Sequence, residues 1–173
     1  SRFQIYGILN VTPDSFYDGG RHMDPSVAFA RASAMIDEGV DVIDIGGEST
    51  RPGADDVAPA EQLARIMPVI ERLSGRAPIS VDTRSAEVAR VVCDAGIRII
   101  NDVSGLSDPE MPAIVSGFGA SIIIMHSKGR PKTMQDSPCY HDVVGEVAAY
   151  LSGKIVFAEN EGIPPDRIII DPG

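Results

Sequence analysis

At 173 residues the chain has room for one domain with a sizeable core. Fifteen Lys and Arg against 25 Asp and Glu leave a net charge of −10, which excludes broad electrostatic docking onto nucleic acid or an anionic membrane. An apolar content of 43% with 23% charged residues excludes a disordered or collagen-like chain, and the longest apolar run, 122–125, is far too short to span a bilayer. Any anionic ligand must therefore be gripped by a few local cations. Ser1-Arg2-Phe3 leads directly into a patterned segment with no signal-peptide character. The two cysteines, Cys93 and Cys139, form neither a disulfide framework nor a metal-ligand spacing, so a reducing cytoplasm is the expected compartment.

Short apolar runs rich in Ile and Val lie at 5–9, 42–45, 79–81, 97–100, 121–125 and 168–170, bracketed by Gly, Pro or Asp. Runs of this kind read as parallel strands covered on both faces. Helical patterns separate them. Asp24-Pro25 supplies a cap and a first-turn proline, and Gly39 a stop. Leu63, Ile66, Met67, Ile70 and Leu73 share one face of the next helix, in which Pro68 is expected to introduce a kink. Val88, Val91, Val92 and Ala95 form a stripe closed by Gly96, with Cys93 as a core residue. Asp108-Pro109 is expected to open a helix ending at Gly119, and a long last helix carries Val143, Val147, Leu151, Ile155 and Ala158 before Gly162.

Six strands interleaved with five helices predict an α/β protein, either a (β/α)8 TIM barrel or an open doubly wound sheet. Nearly every apolar run ends in chemically useful groups: Asn10, the stretch from Gly46 to Arg51, Asp82, Asn101-Asp102, His126 and Asp171. A barrel gathers all its strand ends around one mouth, whereas an open sheet uses few of them. The barrel is the expected architecture, with 1–173 as a single domain incomplete at its C-terminus, because eight strands usually take about 250 residues.

The loop TPDSFYDGG (12–20) combines Pro13, Gly19 and Gly20 with Asp14, Asp18, Phe16 and Tyr17, a composition suited to a binding loop or to a decorated surface turn. GGESTRPG (46–53) offers backbone N–H groups, hydroxyls and a guanidinium, a set that suits a phosphate or diphosphate. Its simpler reading is a tight turn held by a Glu48–Arg51 pair. Asp82, Asn101 and Asp171 would converge inside the barrel, where carboxylates and an amide match the donor–acceptor edge of an aminopyrimidine-like ring; singly, each could instead cap its own loop. His126 is open between a base, an orienting donor and a satisfied core histidine. No Ser-His-Asp set, H-E-x-x-H or cysteine cluster is present. An anion cradle beside a heterocycle pocket points to transfer chemistry with a phosphate leaving group.

The segments GILNVTPDSFYDGG (7–20), GGESTRPG (46–53), SVDT (80–83), INDVSG (100–105), MHSKGRPKTMQ (125–135) and IIIDPG (168–173) together resemble the dihydropteroate synthases, the folate-pathway enzymes that sulfonamides inhibit. The resemblance implies a TIM barrel that joins 4-aminobenzoate to the methylene of 6-hydroxymethyl-7,8-dihydropterin diphosphate. It assigns the pterin ring to Asp82, Asn101, Met125 and Asp171, and the diphosphate to Thr50 and Arg51. It assigns Mg2+ to Asn10, and the 4-aminobenzoate pocket to Phe16, Thr50 and Pro52. Asp18 matches a carboxylate associated with a cationic intermediate, so that Asp18 and Arg51 are the expected catalytic residues. A cytoplasmic homodimer is implied when the barrel is complete.

Tyr17 departs from the small residue common in the family, and the family's later lysine and its basic residues on the last strand have no counterpart within 1–173. Two other readings share parts of the pattern. A non-catalytic pterin-binding module would need no anion cradle. A pterin-binding methyltransferase, holding methyltetrahydrofolate for a corrinoid partner, would keep the strand-end Asp and Asn residues without a diphosphate loop. GGESTRPG and Asp18 favour the synthase over both.

Overall fold

The computed structural model describes residues 3–12, 24–49, 56–127 and 142–173. Its elements alternate along the chain: β1 (Tyr6–Asn10), α1 (Pro25–Asp37), β2 (Val42–Gly46), α2 (Pro59–Leu73), β3 (Ile79–Asp82), α3 (Ala86–Asp94), β4 (Ile99–Asp102), α4 (Met111–Gly117), β5 (Ser121–Met125), α5 (Val143–Asn160) and, after a 3-10 turn at Pro165–Arg167, β6 (Ile168–Asp171). All six strands are parallel and neighbour one another in sequence order. A doubly wound sheet would reverse its strand order at a switch point. This sheet does not, and α1 to α4 pack consecutively along one of its faces, which is the arrangement of a barrel arc.

The face under the helices is the core. Leu9, Ile43, Ile45, Val81, Ile100, Ile122 and Ile124 point from the strands into a layer completed by Ile66, Val69, Leu73, Val88, Val92 and Cys93. Gly7 belongs to this face, since a Cβ there would meet Met35 Sδ and Val40 Cγ1 at 3.0 Å. Side chains alternate across a strand, so Tyr6, Ile8 and Asn10 turn to the inner face.

Helix ends follow the sequence signals in most cases. Asp24 Oδ1 accepts from the Ser26 N–H at 2.8 Å, and Gly39, Gly96, Gly119 and Gly162 all have positive φ at their helix ends. Helix α2 runs through Pro68 without interruption. The Asp108-Pro109 expectation is corrected. Glu110 takes the cap position of α4; Asp108 Oδ1 accepts from the Glu110 N–H at 3.1 Å in the turn ahead of it, while Asp108 Oδ2 accepts from the Ala86 N–H at 2.9 Å and so satisfies a donor of α3's first turn.

Five of the six strands extend one or two residues further toward the mouth than the apolar runs indicate, taking Asn10, Gly46, Asp82, Asn101, Asp102 and Asp171 into regular pairing. Parallel pairing binds backbone irrespective of side-chain polarity, so the last polar residue of each run stays in register. Among the described residues β1 and β6 are the sheet edges, with Ile8, Ile169 and Ile170 exposed upon them. No described helix is long and apolar enough to cross a membrane.

Candidate functional site

Register decides which polar side chains meet. Asn10 pairs with Gly46, Gly46 with Asp82, and Asp82 with Asn101, so these four form one row across β1 to β4. They share the inner face: a Cβ on Gly46 would lie 3.5 Å from both Asn10 Oδ1 and Asp82 Cβ. The missing side chain at Gly46 therefore leaves open space between an amide and a carboxyl. Met125 pairs with Asp171, one rung nearer the mouth, about 6.6 Å along the strands. The sequence-predicted pterin residues Asp82, Asn101, Met125 and Asp171 thus stand at adjacent strand ends. Asn10 joins the row, half open to the mouth.

Asp44 also belongs to this site, although the sequence reading passed over it. It is buried within β2 two residues before Gly46, on the same face by strand alternation. The Asn101 Nδ2 donates to Asp44 Oδ2 at 3.0 Å. Among the described residues, three buried polar atoms in and behind the row have no hydrogen-bond partner: Asp44 Oδ1, Asn101 Oδ1 and Ser80 Oγ. Buried polar atoms are normally satisfied, and a cluster of unmet acceptors with one hydroxyl suits a ligand that brings its own N–H donors.

The electrostatics agree. Burial, followed by the charges of Asp44, Asp102 and Glu48, pushes the Asp82 carboxyl up to about 8. Asp82 has no hydrogen-bond partner among the described residues, and a strongly raised carboxyl in a cleft marks a functional group. Burial raises the Asp102 carboxyl too, but its hydrogen bonds oppose the shift. Its carboxylate accepts from Ser104 N, Ser104 Oγ and Leu106 N at 2.6–3.0 Å, so it organises the loop after β4. Asp171 Oδ1 accepts from Gly173 N at 2.9 Å, so this carboxylate also holds the turn that follows it. His126 is half-buried; its backbone N–H donates to the Asp171 carbonyl at 2.8 Å, and its ring meets the Tyr150 ring edge-on at 5.0 Å.

The base of the GGESTRPG loop is held by several side chains. A Cβ on Gly47 would come within 2.9 Å of the Gln62 carbonyl oxygen, so only glycine lets α2 approach so closely. Arg65, buried in α2, donates to the Gly47 carbonyl at 2.7 Å and pairs with Glu61. Glu48 is forked by Arg84 from the loop after β3. Phe16, Asp18, Thr50, Arg51, Pro52 and Cys139 lie outside the described residues.

A hard cation fits the donor set at the mouth. The Asn10 amide oxygen, beside Gly46 and Asp82, is an oxygen ligand of the kind Mg2+ uses when substrate phosphates and water complete its shell. No group of three His, Cys, Asp or Glu able to hold a metal by themselves occurs among the described residues. A cavity of about 470 Å3 at the opposite end of β3 and β4 is lined by Met67, Ile70, Ile97 and Arg98. It holds none of the unpartnered atoms, and Arg98 there is occupied by the carbonyls of Cys93 and Ile97.

Comparison with known proteins agrees with this geometry. The model of the family described as pterin binding enzyme matches residues 6–173. The chain is 53% identical over 173 residues to a Halobacterium salinarum protein named as a probable bifunctional folylpolyglutamate synthase/dihydropteroate synthase, covering 99% of this chain and 21% of that one. It is 45% identical over 171 residues to the dihydropteroate synthase of Escherichia coli, covering 98% of this chain and 61% of that enzyme. It superposes on the Yersinia pestis dihydropteroate synthase solved with a sulfonamide drug with a TM-score of 0.91, at 41% identity, covering 98% of this chain and 62% of that one. The Xanthomonas albilineans dihydropteroate synthase solved with 4-aminobenzoic acid gives 0.89 at 45% identity, covering 99% and 62%. The chain therefore spans about three fifths of the single-function relatives it matches, and its sheet is an arc of their fold.

Proposed function

The chain belongs to the pterin-binding enzyme family, and from that premise we propose that the whole protein is a dihydropteroate synthase, which joins 4-aminobenzoate to 6-hydroxymethyl-7,8-dihydropterin diphosphate and releases diphosphate. The observation that carries this reading is the inner-face row of Asn10, Asp82 and Asn101 with Asp44 behind it. Its unmet acceptors match the N–H-rich edge of a pterin. The named relatives support the same activity.

In this reading the ring is held by Asp82, Asn101 and Asp171 with Met125 against its face, and Asp44 fixes the Asn101 amide. Asn10 would help hold Mg2+, which when bound would offset charge on the diphosphate. The sequence assigns the diphosphate itself to Thr50 and Arg51, and the 4-aminobenzoate pocket to Phe16, Thr50 and Pro52. Asp18 stands near the cation left at the methylene. The C–O bond to diphosphate breaks, the dihydropterin delocalises the positive charge, and the arylamine nitrogen attacks the methylene and then loses its proton. An arylamine is nucleophilic while neutral, so no strong base is required, which agrees with the absence of a catalytic dyad in the sequence. Sulfonamides compete for the 4-aminobenzoate pocket. The protein acts on small molecules rather than nucleic acid or membranes, as a cytoplasmic homodimer.

Diphosphate release tests the proposal. With Mg2+ and the dihydropterin diphosphate, release should rise when 4-aminobenzoate is added, and dihydropteroate should accumulate in equal amount. Pterin binding without any such release would leave a binding module.

A further inference from the structure

Helix α5 buries Leu151 and Ala158 and packs on β5 and β6. Tyr150, beside Leu151, is only half-buried and reaches the strand ends instead. Its ring meets the His126 ring edge-on at 5.0 Å, a favoured aromatic geometry. Lys154, one turn along α5, sets its Nζ 5.5 Å from the Tyr150 ring centroid. The Tyr150 hydroxyl lies against Gly105 in the loop after β4. A Cβ on Gly105 would overlap Tyr150 Oη and stand 3.1 Å from the Met125 carbonyl oxygen. Glycine is therefore needed there for space as well as for its φ of 65°.

That loop is strained. Leu106 has a φ of 61°, a left-handed backbone that leucine keeps only where its surroundings over-determine it. Asp102 Oδ2 accepts from the Leu106 N–H at 3.0 Å, and Tyr150 abuts the residue before it. Burial, and then the Asp102 charge, raise the Tyr150 hydroxyl above its usual range, so at neutral pH it meets the loop uncharged. His126 extends the contact to β6. Its backbone N–H donates to the Asp171 carbonyl at 2.8 Å, and a Cβ on Gly173 would come within 2.8 Å of the His126 carbonyl oxygen. One side chain on an outer helix thus braces the strand ends that carry Asn101, Met125 and Asp171.

We propose that Tyr150 is a positioning residue for the pterin ring, acting through the ends of β4, β5 and β6. The inference rests on the synthase reading above. It leaves the other half of the row alone, because none of the described contacts of Tyr150 reaches Asn10, Asp44 or Asp82.

The test uses the whole protein, with 6-hydroxymethylpterin as a calorimetric probe. Y150L removes both ring and hydroxyl and should weaken pterin binding about tenfold, the scale of a strong aromatic contact. Y150F keeps the ring on His126 and should recover most of that loss. With the full substrate, KM for the dihydropterin diphosphate should rise more than kcat falls. A double-mutant cycle addresses the Gly105 contact. G105A should cost less affinity in the Y150F background than in the native one. With the hydroxyl gone the nearest ring atom, Cζ, would stand 3.2 Å from the new methyl, and the cost of alanine at a positive φ is common to both backgrounds. Unchanged pterin affinity in Y150L would overturn the proposal, and so would additive losses in the cycle. A fall in kcat with KM unmoved would overturn it too. Should Y150L fail to fold, the cycle with Y150F carries the test. A native protein that binds no pterin would instead overturn the synthase reading.

Discussion

The Asn101 amide nitrogen reaches across β3 to donate to Asp44 Oδ2 at 3.0 Å, and this bond fixes which way the amide faces. With Nδ2 engaged, Asn101 Oδ1 is left as a buried acceptor without a partner among the described residues. Asp44→Ala should free the amide to rotate and lower pterin affinity about tenfold, the effect of one lost hydrogen bond to a charged group. Asp44→Asn, which can still accept from Asn101, should lose less. A fluorescence titration with a pterin distinguishes the two, and equal affinities for native and Asp44→Ala proteins would remove Asp44 from the site.

Asp82 should make stability fall as pH rises. Its carboxyl is raised from 3.8 to about 8 by burial and then by Asp44, Asp102 and Glu48. Between those values the folded protein holds a proton that the unfolded chain has released, so ν_N exceeds ν_U and the slope of unfolding free energy with pH is negative. The contribution is fully favourable below about pH 4 and has been lost by about pH 8. Asp82→Asn cannot ionise, so it should melt higher than the native protein by a few degrees near pH 8 and by less near pH 5. Melting curves at the two pH values check this, and an identical offset at both would contradict it. The same variant should bind pterin poorly, a gain in stability against a loss of function.

The barrel arc was legible in the sequence because the strands carry a local signal: short Ile/Val-rich runs, most of them ending in a polar residue. Asn10, Asp82, Asn101 and Asp171 could be named from that signal alone, and pairing places them at the ends of β1, β3, β4 and β6 of one parallel sheet. Asp44 was missed because β2 reads as a continuous apolar run, all of it buried. A carboxylate inside such a run, two residues before Gly46 and hence on the same face, was the available sign. The partner of Glu48 was not legible at all. Arg51 is close in sequence, but the arginine that forks Glu48 is 36 residues away, and only the parallel arrangement of β2 and β3 brings it there. Asp108 was read only in part for a related reason, since one oxygen serves the turn ahead of α4 and the other a helix 22 residues earlier.

Gly47 is a packing requirement rather than a hinge. A Cβ there would stand 2.9 Å from Gln62 O and 3.0 Å from Ile66 Cγ2, and the first of these is backbone that cannot swing aside. Gly47→Ala should therefore destabilise by about 1–3 kcal/mol, the usual consequence of overpacking. Urea denaturation measures the loss as a lower midpoint with an unchanged m-value. Because α2 would shift away from β2, the Arg65 bond to the Gly47 carbonyl at 2.7 Å should lengthen with it. Gly46→Ala is the control: its nearest contacts at 3.5 Å are ordinary, so its stability should change little while the added methyl occupies the gap between Asn10 and Asp82.

Pterin binding should release a proton. In the free protein Asp82 is held up to about 8, so it is mostly protonated near pH 6.5. A ring that presents N–H donors to it needs the carboxylate as acceptor, and their hydrogen bonds favour the charged form. Binding must then lower the Asp82 pKa, and linkage requires affinity to rise with pH below about 8, by at most about tenfold per unit. Calorimetry near pH 6.5 in buffers of different ionisation enthalpy should give close to one proton released in the native protein and about none in Asp82→Asn. A pH-independent affinity would mean that Asp82 meets the ring still protonated and donates to it, which would reverse its role without removing it from the site.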